Sequence, residues 1–143
     1  MSNEDCVFCK IVSKEEPASI VFEDNDFLAF LDFKPFAEGH TLVIPKRHYD
    51  DIYHIPNEEL ANLAVAVKKV ATIVEQAFSA EGISIAQNNG KAAEQHIFHI
   101  HFHVIPRFAG KKLLSYEEAP KVSRQELDAV ASKIRRHVLI ERC

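Results

Sequence analysis

Three histidines that alternate with large apolar residues constrain the fold of this chain more than any other feature of its sequence. They are His99, His101 and His103. In a β-strand, residues i, i+2 and i+4 share one face, so the pattern predicts a strand that packs Ile100, Phe102 and Val104 into a core. Three imidazoles on the opposite face are costly to desolvate without compensating interactions. A polar surface that happens to be rich in histidine is the alternative, but the pattern favours an active site.

The remaining pattern predicts an α+β domain with about five strands in a mainly antiparallel sheet. Besides the histidine segment, strands are predicted over residues 20–23, 27–31, 41–44 and 83–86. A helical period begins at Asn57, a candidate N-cap, and Gly82 is a candidate stop, which predicts one long central helix. A capping-box pattern at residues 123–126 opens a C-terminal helix, whose expected inner face includes Leu127 and Val138.

Length and charge exclude several classes of function. The 143 residues suffice for one domain with a buried core, and no linker or repeat divides them. A formal net charge of −4 argues against a binder of nucleic-acid polymers, although a single nucleotide needs only a few local donors. The sequence has no signal peptide and no run of 18 apolar residues, so no membrane partner is expected. Three cysteines, Cys6, Cys9 and Cys143, fit a reducing cytoplasm better than a disulfide framework.

The histidine segment is compatible with two chemistries. Imidazoles at i and i+2 can chelate a catalytic metal, as in a metallohydrolase. Alternatively, one neutral imidazole can act as a nucleophile while its neighbours orient it and bind an anion. Spacing alone leaves both open, and Glu94 is the only carboxylate close in sequence.

A second candidate constellation lies near the N-terminus, where Cys6 and Cys9 form a C-x-x-C pair. Thiolates at that spacing can share one tetrahedral zinc ion, with two histidines completing a closed structural site. Candidate partners are His48 and one histidine of the predicted strand. A redox pair would require a preceding strand in a βαβ unit, which this region lacks. Two unligated cysteines are the remaining alternative.

At this point the residues resemble a known family. Cys6-Val7-Phe8-Cys9-Lys10-Ile11-Val12, Ala29-Phe30-Leu31-Asp32, residues 39–48 (GHTLVIPKRH) and the triad at 99–104 (HIHFHV) match motifs of the histidine triad (HIT) superfamily. The similarity is greatest to small bacterial members close to the Hint branch. It implies a single HIT domain over residues 1–143, with its core over about 6–107 and a C-terminal loop and helix over 108–143.

The resemblance also implies a chemistry and a set of catalytic residues. Such proteins are nucleotide hydrolases or transferases that act at an α-phosphate, usually as homodimers. The nucleophile would be His101, with its Nδ1 proton held by the backbone carbonyl of His99. His103 would donate a hydrogen bond to a non-bridging phosphate oxygen, and His40 would support the triad by hydrogen bonding.

Binding and metal roles follow from the same resemblance. Asp32 would accept the ribose hydroxyls and Asn88 would contact the phosphate region. The base cleft would be lined by Phe8, Ile11, Phe30 and Phe33. Zinc would be structural, with no organic cofactor, and its ligands would be Cys6, Cys9, His48 and His99.

One departure from the family pattern stands out. The family commonly has Gly-Gln-Ser or Gly-Gln-Thr before the triad, whereas this chain has Glu94-Gln95-His96. We expect Gln95 to contribute to substrate binding. Our hypothesis is that His96 takes over leaving-group protonation or phosphate contact, because it stands where the hydroxyl residue usually sits.

The leading functional hypothesis is a hydrolase or transferase of the nucleoside phosphoramidate type, acting on AMP or its conjugates. The alternatives are a nucleotide-binding regulatory module with weak turnover, a dinucleoside polyphosphate hydrolase and a metallohydrolase.

Overall fold

A computed structural model describes residues 4–142 of the chain, with side chains up to residue 137; the side chain of Val138 and the whole of Cys143 therefore lie outside what is described. Its centre is a five-stranded sheet with the order β1-β2-β3-β5-β4 and antiparallel pairing throughout. The strands are β1 (Ile20–Glu23), β2 (Phe27–Leu31), β3 (Thr41–Pro45), β4 (Gly82–Gln87) and β5 (Phe102–Arg107). The α+β class and the antiparallel sheet expected from the sequence are confirmed.

Three helices pack on this sheet: α1 (Val7–Val12), α2 (Asn57–Phe78) and α3 (Arg124–Arg142). Strand β2 is buried at all five positions because its two faces meet different layers. Leu28 and Phe30 pack in a cluster with α1, while Ala29 and Leu31 join the larger core formed with α2 and α3. A strand covered on both faces becomes a continuous apolar run, which explains its sequence.

The ends of α2 differ from the expectation. Pro56 occupies the N-cap position, and Asn57 is the first helical residue, with no side-chain cap. The helix ends at Phe78 and is capped by Ser79, which adopts a left-handed conformation (φ 49°), and Gly82 instead opens β4. In α3, the serine half of the predicted capping box is present, since the Glu126 N–H donates to the Ser123 hydroxyl at 3.2 Å, while the Glu126 carboxylate accepts from that hydroxyl. None of the described helices has the length and apolar character needed to cross a bilayer.

The histidine segment enters the sheet later than expected. Strand β5 begins at Phe102, so only His103 of the three histidines lies within it. The reason is that the Ile100 N–H donates to the Tyr49 carbonyl at 2.8 Å, in the connection between β3 and α2, rather than to a neighbouring strand. The apolar residues still face the core, because Ile100 and Val104 are fully buried and Phe102 packs against them. Burial itself does not alternate, since His99 and His101 are buried as well.

Candidate active site

A cleft of about 400 Å³ lies between α1, the end of β2 and the histidine segment. Nine residues expected at the site line it: Phe8, Ile11, Phe30, Asp32, Phe33, Asn88, His96, His101 and His103. Its α1 side is apolar, and an edge-on contact joins the rings of Phe8 and His101, with centroids 5.2 Å apart. The cleft therefore combines an apolar wall with a row of imidazoles, as small-molecule sites commonly do.

His101 is held in one orientation and one tautomer. Its Nδ1 lies 2.8 Å from the carbonyl oxygen of His99, and because a carbonyl only accepts, Nδ1 must carry the proton. Nε2 then has a free lone pair. Burial lowers the pKa of His101, which keeps the ring neutral near pH 7. The arrangement provides an uncharged imidazole that is able to act as a nucleophile.

A chain of three hydrogen-bonding groups fixes the tautomer of His103. The Phe36 N–H donates to His40 Nδ1 at 3.0 Å, so the proton of His40 resides on Nε2. That Nε2–H donates to His103 Nδ1 at 2.9 Å, which leaves the His103 proton on Nε2. Burial lowers the pKa of His40 to about 3 and that of His103 to about 4, so both rings are neutral. His103 thus offers a neutral N–H donor at its far nitrogen.

Asp32 follows β2 directly and is the carboxylate nearest to these rings. Its Oδ1 accepts the backbone N–H of Lys34 at 3.0 Å. Burial raises the pKa of Asp32 to about 6. Its other oxygen lies 3.8 Å from His40 Nε2, but the contact is not an ion pair because burial keeps His40 neutral. An ionised Asp32 can accept two hydrogen bonds from vicinal hydroxyls.

A separate cluster brings together Cys6, Cys9, His48 and His99, whose ligand atoms all lie within 4.8 Å of one another. His99 Nδ1 is 3.5 Å from Cys6 Sγ and 3.6 Å from Cys9 Sγ, and His48 Nδ1 is 3.4 Å from Cys9 Sγ. A tetrahedral zinc ion with ordinary bond lengths separates its sulfur and nitrogen ligands by about 3.5 Å. The donor set and its spacing therefore fit zinc.

The orientation of the two histidines in this cluster also fits a zinc site. His99 Nε2 donates to the Pro45 carbonyl at 2.8 Å, and His48 Nε2 lies 2.8 Å from an Asp50 carboxylate oxygen. Each ring therefore turns an unprotonated Nδ1 toward the thiols, as metal-binding histidines do when a second residue holds the opposite nitrogen. Burial raises the pKa of Cys6 to about 11, so without a cation its thiol stays protonated.

The segment before the triad holds a correction. Gln95 is buried, and the cleft lining does not include it. Its Oε1 accepts the Gly90 N–H at 2.8 Å, and its Nε2 donates to the carbonyls of Asp50 (2.7 Å) and Ile97 (3.1 Å). The side-chain amide thus hydrogen-bonds three backbone segments. This differs from the substrate contact that the sequence led us to expect. Neighbouring Glu94 takes a left-handed conformation (φ 67°), which suits the glycine that the family pattern has there.

Several residues of the cleft had no signal in the sequence. Lys34, Phe36 and Tyr116 line it beside the imidazoles. The Phe36 ring lies 4.8 Å from that of His40 and stacks 6.3 Å from that of His103. Tyr116 comes from the connection between β5 and α3, which has no periodic pattern, and stacks on His96 with centroids 4.3 Å apart. Only the tertiary structure brings these side chains to the site.

Comparison with known proteins gives one family. The model of the HIT domain matches residues 13–110. An uncharacterized HIT-like protein of Methanocaldococcus jannaschii is 41% identical, over 91% of this chain and 98% of its own length. Adenylylsulfatase HINT3 of Arabidopsis thaliana is 36% identical, over 94% and 70% of the two chains. Adenosine 5′-monophosphoramidase HNT1 of Candida albicans is 37% identical, over 74% and 72%.

Solved structures give the same result. A Hit-like protein of Bartonella henselae superposes with a TM-score of 0.87 at 37% identity, covering 96% of this chain and 99% of the other. A zinc-bound histidine triad family protein of Mycobacterium smegmatis superposes with a TM-score of 0.86 at 39% identity, covering 96% of each chain.

Proposed function

We propose that this chain, which belongs to the HIT domain family, is a hydrolase or transferase acting at the α-phosphate of purine nucleotide conjugates such as those of AMP. The observation that carries the proposal is the orientation of His101, whose Nδ1 is tied to the His99 carbonyl at 2.8 Å. This contact leaves Nε2 as the nucleophilic atom beside an apolar cleft. Two relatives are named for reactions of this kind, a monophosphoramidase and an adenylylsulfatase.

The first chemical step is attack by His101 on phosphorus. Nε2 donates its lone pair and forms a P–N bond, while the bond from phosphorus to the leaving group breaks. The leaving group takes the bonding electrons and, where it is an amine, a proton from solvent. The His99 carbonyl stabilises the positive charge that develops on the ring. Water then attacks the same phosphorus and gives up a proton to solvent, the P–N bond breaks with its electrons returning to Nε2, and the neutral imidazole is restored.

The Phe36 amide, His40 and His103 form a hydrogen-bonded relay, and its last member would stabilise the charge on phosphate. His103 Nε2–H would donate to a non-bridging oxygen, which gains negative charge in the transition state. The Phe36 amide and His40 keep the His103 proton on that nitrogen through the contacts of 3.0 and 2.9 Å. Because burial lowers the pKa of both rings far below 7, the relay keeps this tautomer across the neutral range.

Nucleoside recognition would use polar side chains beside the imidazoles and the apolar side of the cleft. Asp32 would accept hydrogen bonds from the ribose hydroxyls, and Asn88 would contact the phosphate. The base would lie against Phe8, Ile11, Phe30 and Phe33, which line the cleft. Aromatic and aliphatic side chains suit a flat purine, since they cover its faces without requiring unpaired polar groups.

Zinc would be held by Cys6, Cys9, His48 and His99, whose ligand atoms are spaced for it. When bound, zinc supplies a rigid tetrahedral cross-link rather than a reactive water, because four protein ligands close its coordination. The cluster joins α1, the connection after β3 and the residue whose carbonyl orients His101. The metal would thus fix the position of the His99 backbone. Zinc in the relative from Mycobacterium smegmatis supports this assignment.

We further infer a homodimer located in the cytoplasm. Support for self-association comes from exposed apolar side chains along α2 and β4, where Val65 is 65% exposed and Ile85 is 51% exposed. The cysteine content, with Cys6 and Cys9 both reduced, supports a reducing compartment. The net charge of −4 supports a single nucleotide, rather than a nucleic-acid polymer, as the ligand.

A nucleotide-binding module with weak turnover is the second candidate. Glu94 favours it, because this residue lines the cleft and brings a carboxylate where the family pattern has glycine. A negative charge near the phosphate opposes the binding of an anion and slows its reaction. The rate of turnover separates the two candidates. Substrate preference separates both from a dinucleoside polyphosphate hydrolase, which would prefer a substrate with two nucleosides.

The test is turnover of adenosine 5′-phosphoramidate by the wild-type protein and by His101→Ala. The variant should lose at least about 10³-fold in kcat, since covalent catalysis is removed, while AMP affinity changes little. His54→Ala is the matched control, because His54 is exposed and pairs with Asp51 far from the cleft lining. Equal turnover by the wild type and by His101→Ala would contradict the proposal.

A further inference from the structure

A second pocket, of about 420 Å³, lies at the end of β5 away from His103. It is enclosed by the connection that follows β5, by α2 and α3, and by residues 36–38 of the connection between β2 and β3. Four cations line it, and we call it the basic pocket after them: Arg107, Lys111, Lys112 and Lys133. Within residues 4–137, none of the four forms an ion pair with a carboxylate, and Glu38 is the one acidic residue in the lining. In a chain of net charge −4, such a concentration of positive charge indicates a binding site for an anion.

Aromatic rings hold two of these cations at the wall of the basic pocket. Lys133 Nζ lies 4.6 Å from the ring centroid of Phe78, and Lys111 Nζ lies 6.0 Å from that of Phe108. Both rings line the pocket themselves. A cation above an aromatic face is attracted by the ring and loses part of its freedom before any ligand arrives. The pocket therefore presents ammonium groups in defined positions, which reduces the entropy lost when an anion binds.

Phe36 is shared by the basic pocket and the catalytic cleft, since it lines both cavities. Its ring centroid lies 4.8 Å from that of His40 and 6.3 Å from that of His103. Its N–H donates to His40 Nδ1 at 3.0 Å, which is the first contact of the relay. A ligand in the basic pocket would thus contact a residue that touches both relay histidines.

A tight turn gives a second link between the basic pocket and the relay. The His40 N–H donates to the Ala37 carbonyl at 3.1 Å, and Ala37 lines the basic pocket. Gly39 has a φ of 90°, and a Cβ there would lie 2.5 Å from the Phe78 ring, so that ring rests directly on the Gly39 backbone. The ring that holds one of the ammonium groups therefore contacts the residue before His40.

The shape and charge of the basic pocket favour a compact polyanion. Lysine and arginine donate charge-assisted hydrogen bonds to the oxygens of phosphate groups. Arg107 Nη1 donates to the Ser84 hydroxyl at 2.9 Å, which leaves most of the five N–H donors of the guanidinium for a ligand. Because Glu38 opposes a single negative charge, a ligand with several charges gains most from the four cations. A pocket of about 420 Å³ has the size of a small-molecule site and suits such a ligand better than an extended chain.

We propose that the basic pocket is a second binding site, for a compact polyanion such as inorganic tripolyphosphate, and that its occupant lowers the affinity of the cleft for nucleotide. The two ligands would lie in cavities that share Phe36 and would repel each other, since both are anions. By linkage, nucleotide in the cleft would lower the affinity for the polyanion by the same factor. Binding at the basic pocket does not depend on the reaction proposed for His101.

Isothermal titration calorimetry with tripolyphosphate tests the site in three proteins: the wild type, Lys111→Gln combined with Lys133→Gln, and Lys10→Gln combined with Lys121→Gln. Each double variant loses two positive charges, but Lys10 and Lys121 line neither the basic pocket nor the cleft, so the second is the matched control. The wild type should bind one tripolyphosphate per chain while saturating AMP fills the cleft. The first double variant should bind it at least about tenfold more weakly, because two charge-assisted contacts are lost. The control should stay within about twofold of the wild type.

The affinity for AMP at increasing tripolyphosphate concentration tests the link between the two cavities. At low ionic strength, the Kd for AMP should rise by about two- to fivefold in the wild type and then level off as the basic pocket fills. At the same concentrations, the rise should be absent in the variant that lacks Lys111 and Lys133. Direct competition for the cleft would instead raise the Kd without limit and equally in all three proteins. That result, complete displacement of tripolyphosphate by AMP, or equal affinity for tripolyphosphate in both double variants would overturn the proposal.

Discussion

Replacing Asp32 with asparagine should stabilise the fold at pH 8 and weaken nucleotide binding at the same time. The side chain of Asp32 is only 17% exposed, and burial raises its pKa from 3.8 to about 6. The folded protein therefore binds the proton of this carboxyl more tightly than the unfolded chain does. Above pH 6 the folded state carries a poorly solvated charge that asparagine does not carry.

The magnitude follows from the two pKa values. A difference between 3.8 and about 6 corresponds to about 3 kcal/mol, at about 1.36 kcal/mol for each pH unit. The sign follows from proton binding: between these values the unfolded state binds fewer protons, so the stability contributed by Asp32 falls as pH rises through this window. Because residual solvation reduces the effect, Asp32→Asn should gain roughly 1–3 kcal/mol at pH 8 and little near pH 4.

The assay is urea unfolding of the wild type and Asp32→Asn from pH 4 to 8, with AMP affinity measured on the same samples. Protonation of the buried histidines and release of metal at low pH affect both proteins alike, so they cancel in the difference. Affinity for AMP should fall in the variant, since an amide accepts fewer hydroxyl hydrogen bonds than a carboxylate. A variant that is less stable at pH 8, or whose difference from the wild type does not change with pH, would refute the reasoning.

Three further predictions concern the zinc cluster, the histidine relay and the loop before the triad. Chelation should lower the wild-type free energy of unfolding by at least about 3 kcal/mol and leave that of Cys9→Ser unchanged; a wild type insensitive to chelator in thermal unfolding contradicts this. His40→Leu should lower kcat roughly 10–100-fold with AMP affinity retained, and His40→Gln should lose less because its amide can still donate to His103; equal kinetics in both variants would count against the relay. Gln95→Ala should lower the free energy of unfolding by roughly 1–3 kcal/mol, because it removes hydrogen bonds to three backbone groups; unchanged stability with a lower kcat/KM would instead support the substrate contact first expected.

The sheet could be predicted because its signals are local. Strands β1 and β2 have the predicted bounds, since short apolar runs flank a turn in which Asp24 accepts the N–H groups of Asp26 and Phe27. The start of β5 could not be predicted. The alternation of apolar residues and histidines begins at His99, but the Ile100 N–H donates to the Tyr49 carbonyl and not to a neighbouring strand. A periodic pattern specifies which side chains share a face, but not where hydrogen bonding to the sheet begins.

The candidate site also contains residues that the sequence could predict and residues that it could not. Sequence motifs identify the histidines and cysteines, and the resemblance to the HIT superfamily implies their roles. The buried amide of Gln95 and the stacking of Tyr116 on His96 depend on contacts between distant parts of the chain. Tyr116 is positioned by pairing of its flanking residues with Phe33 and Phe36, and no local sequence pattern reports such pairing. Residues placed by tertiary contacts alone are therefore the ones that the sequence could not reveal.

The central claim is that His101 attacks phosphorus and forms a covalent nucleotidyl intermediate. The most direct measurement is the stereochemical course at phosphorus, using one diastereomer of an adenosine phosphorothioate substrate hydrolysed in isotopically labelled water. Two successive in-line displacements, first by His101 and then by water, predict overall retention of configuration. Inversion would show that water attacks the substrate directly, and it would contradict the role assigned to His101.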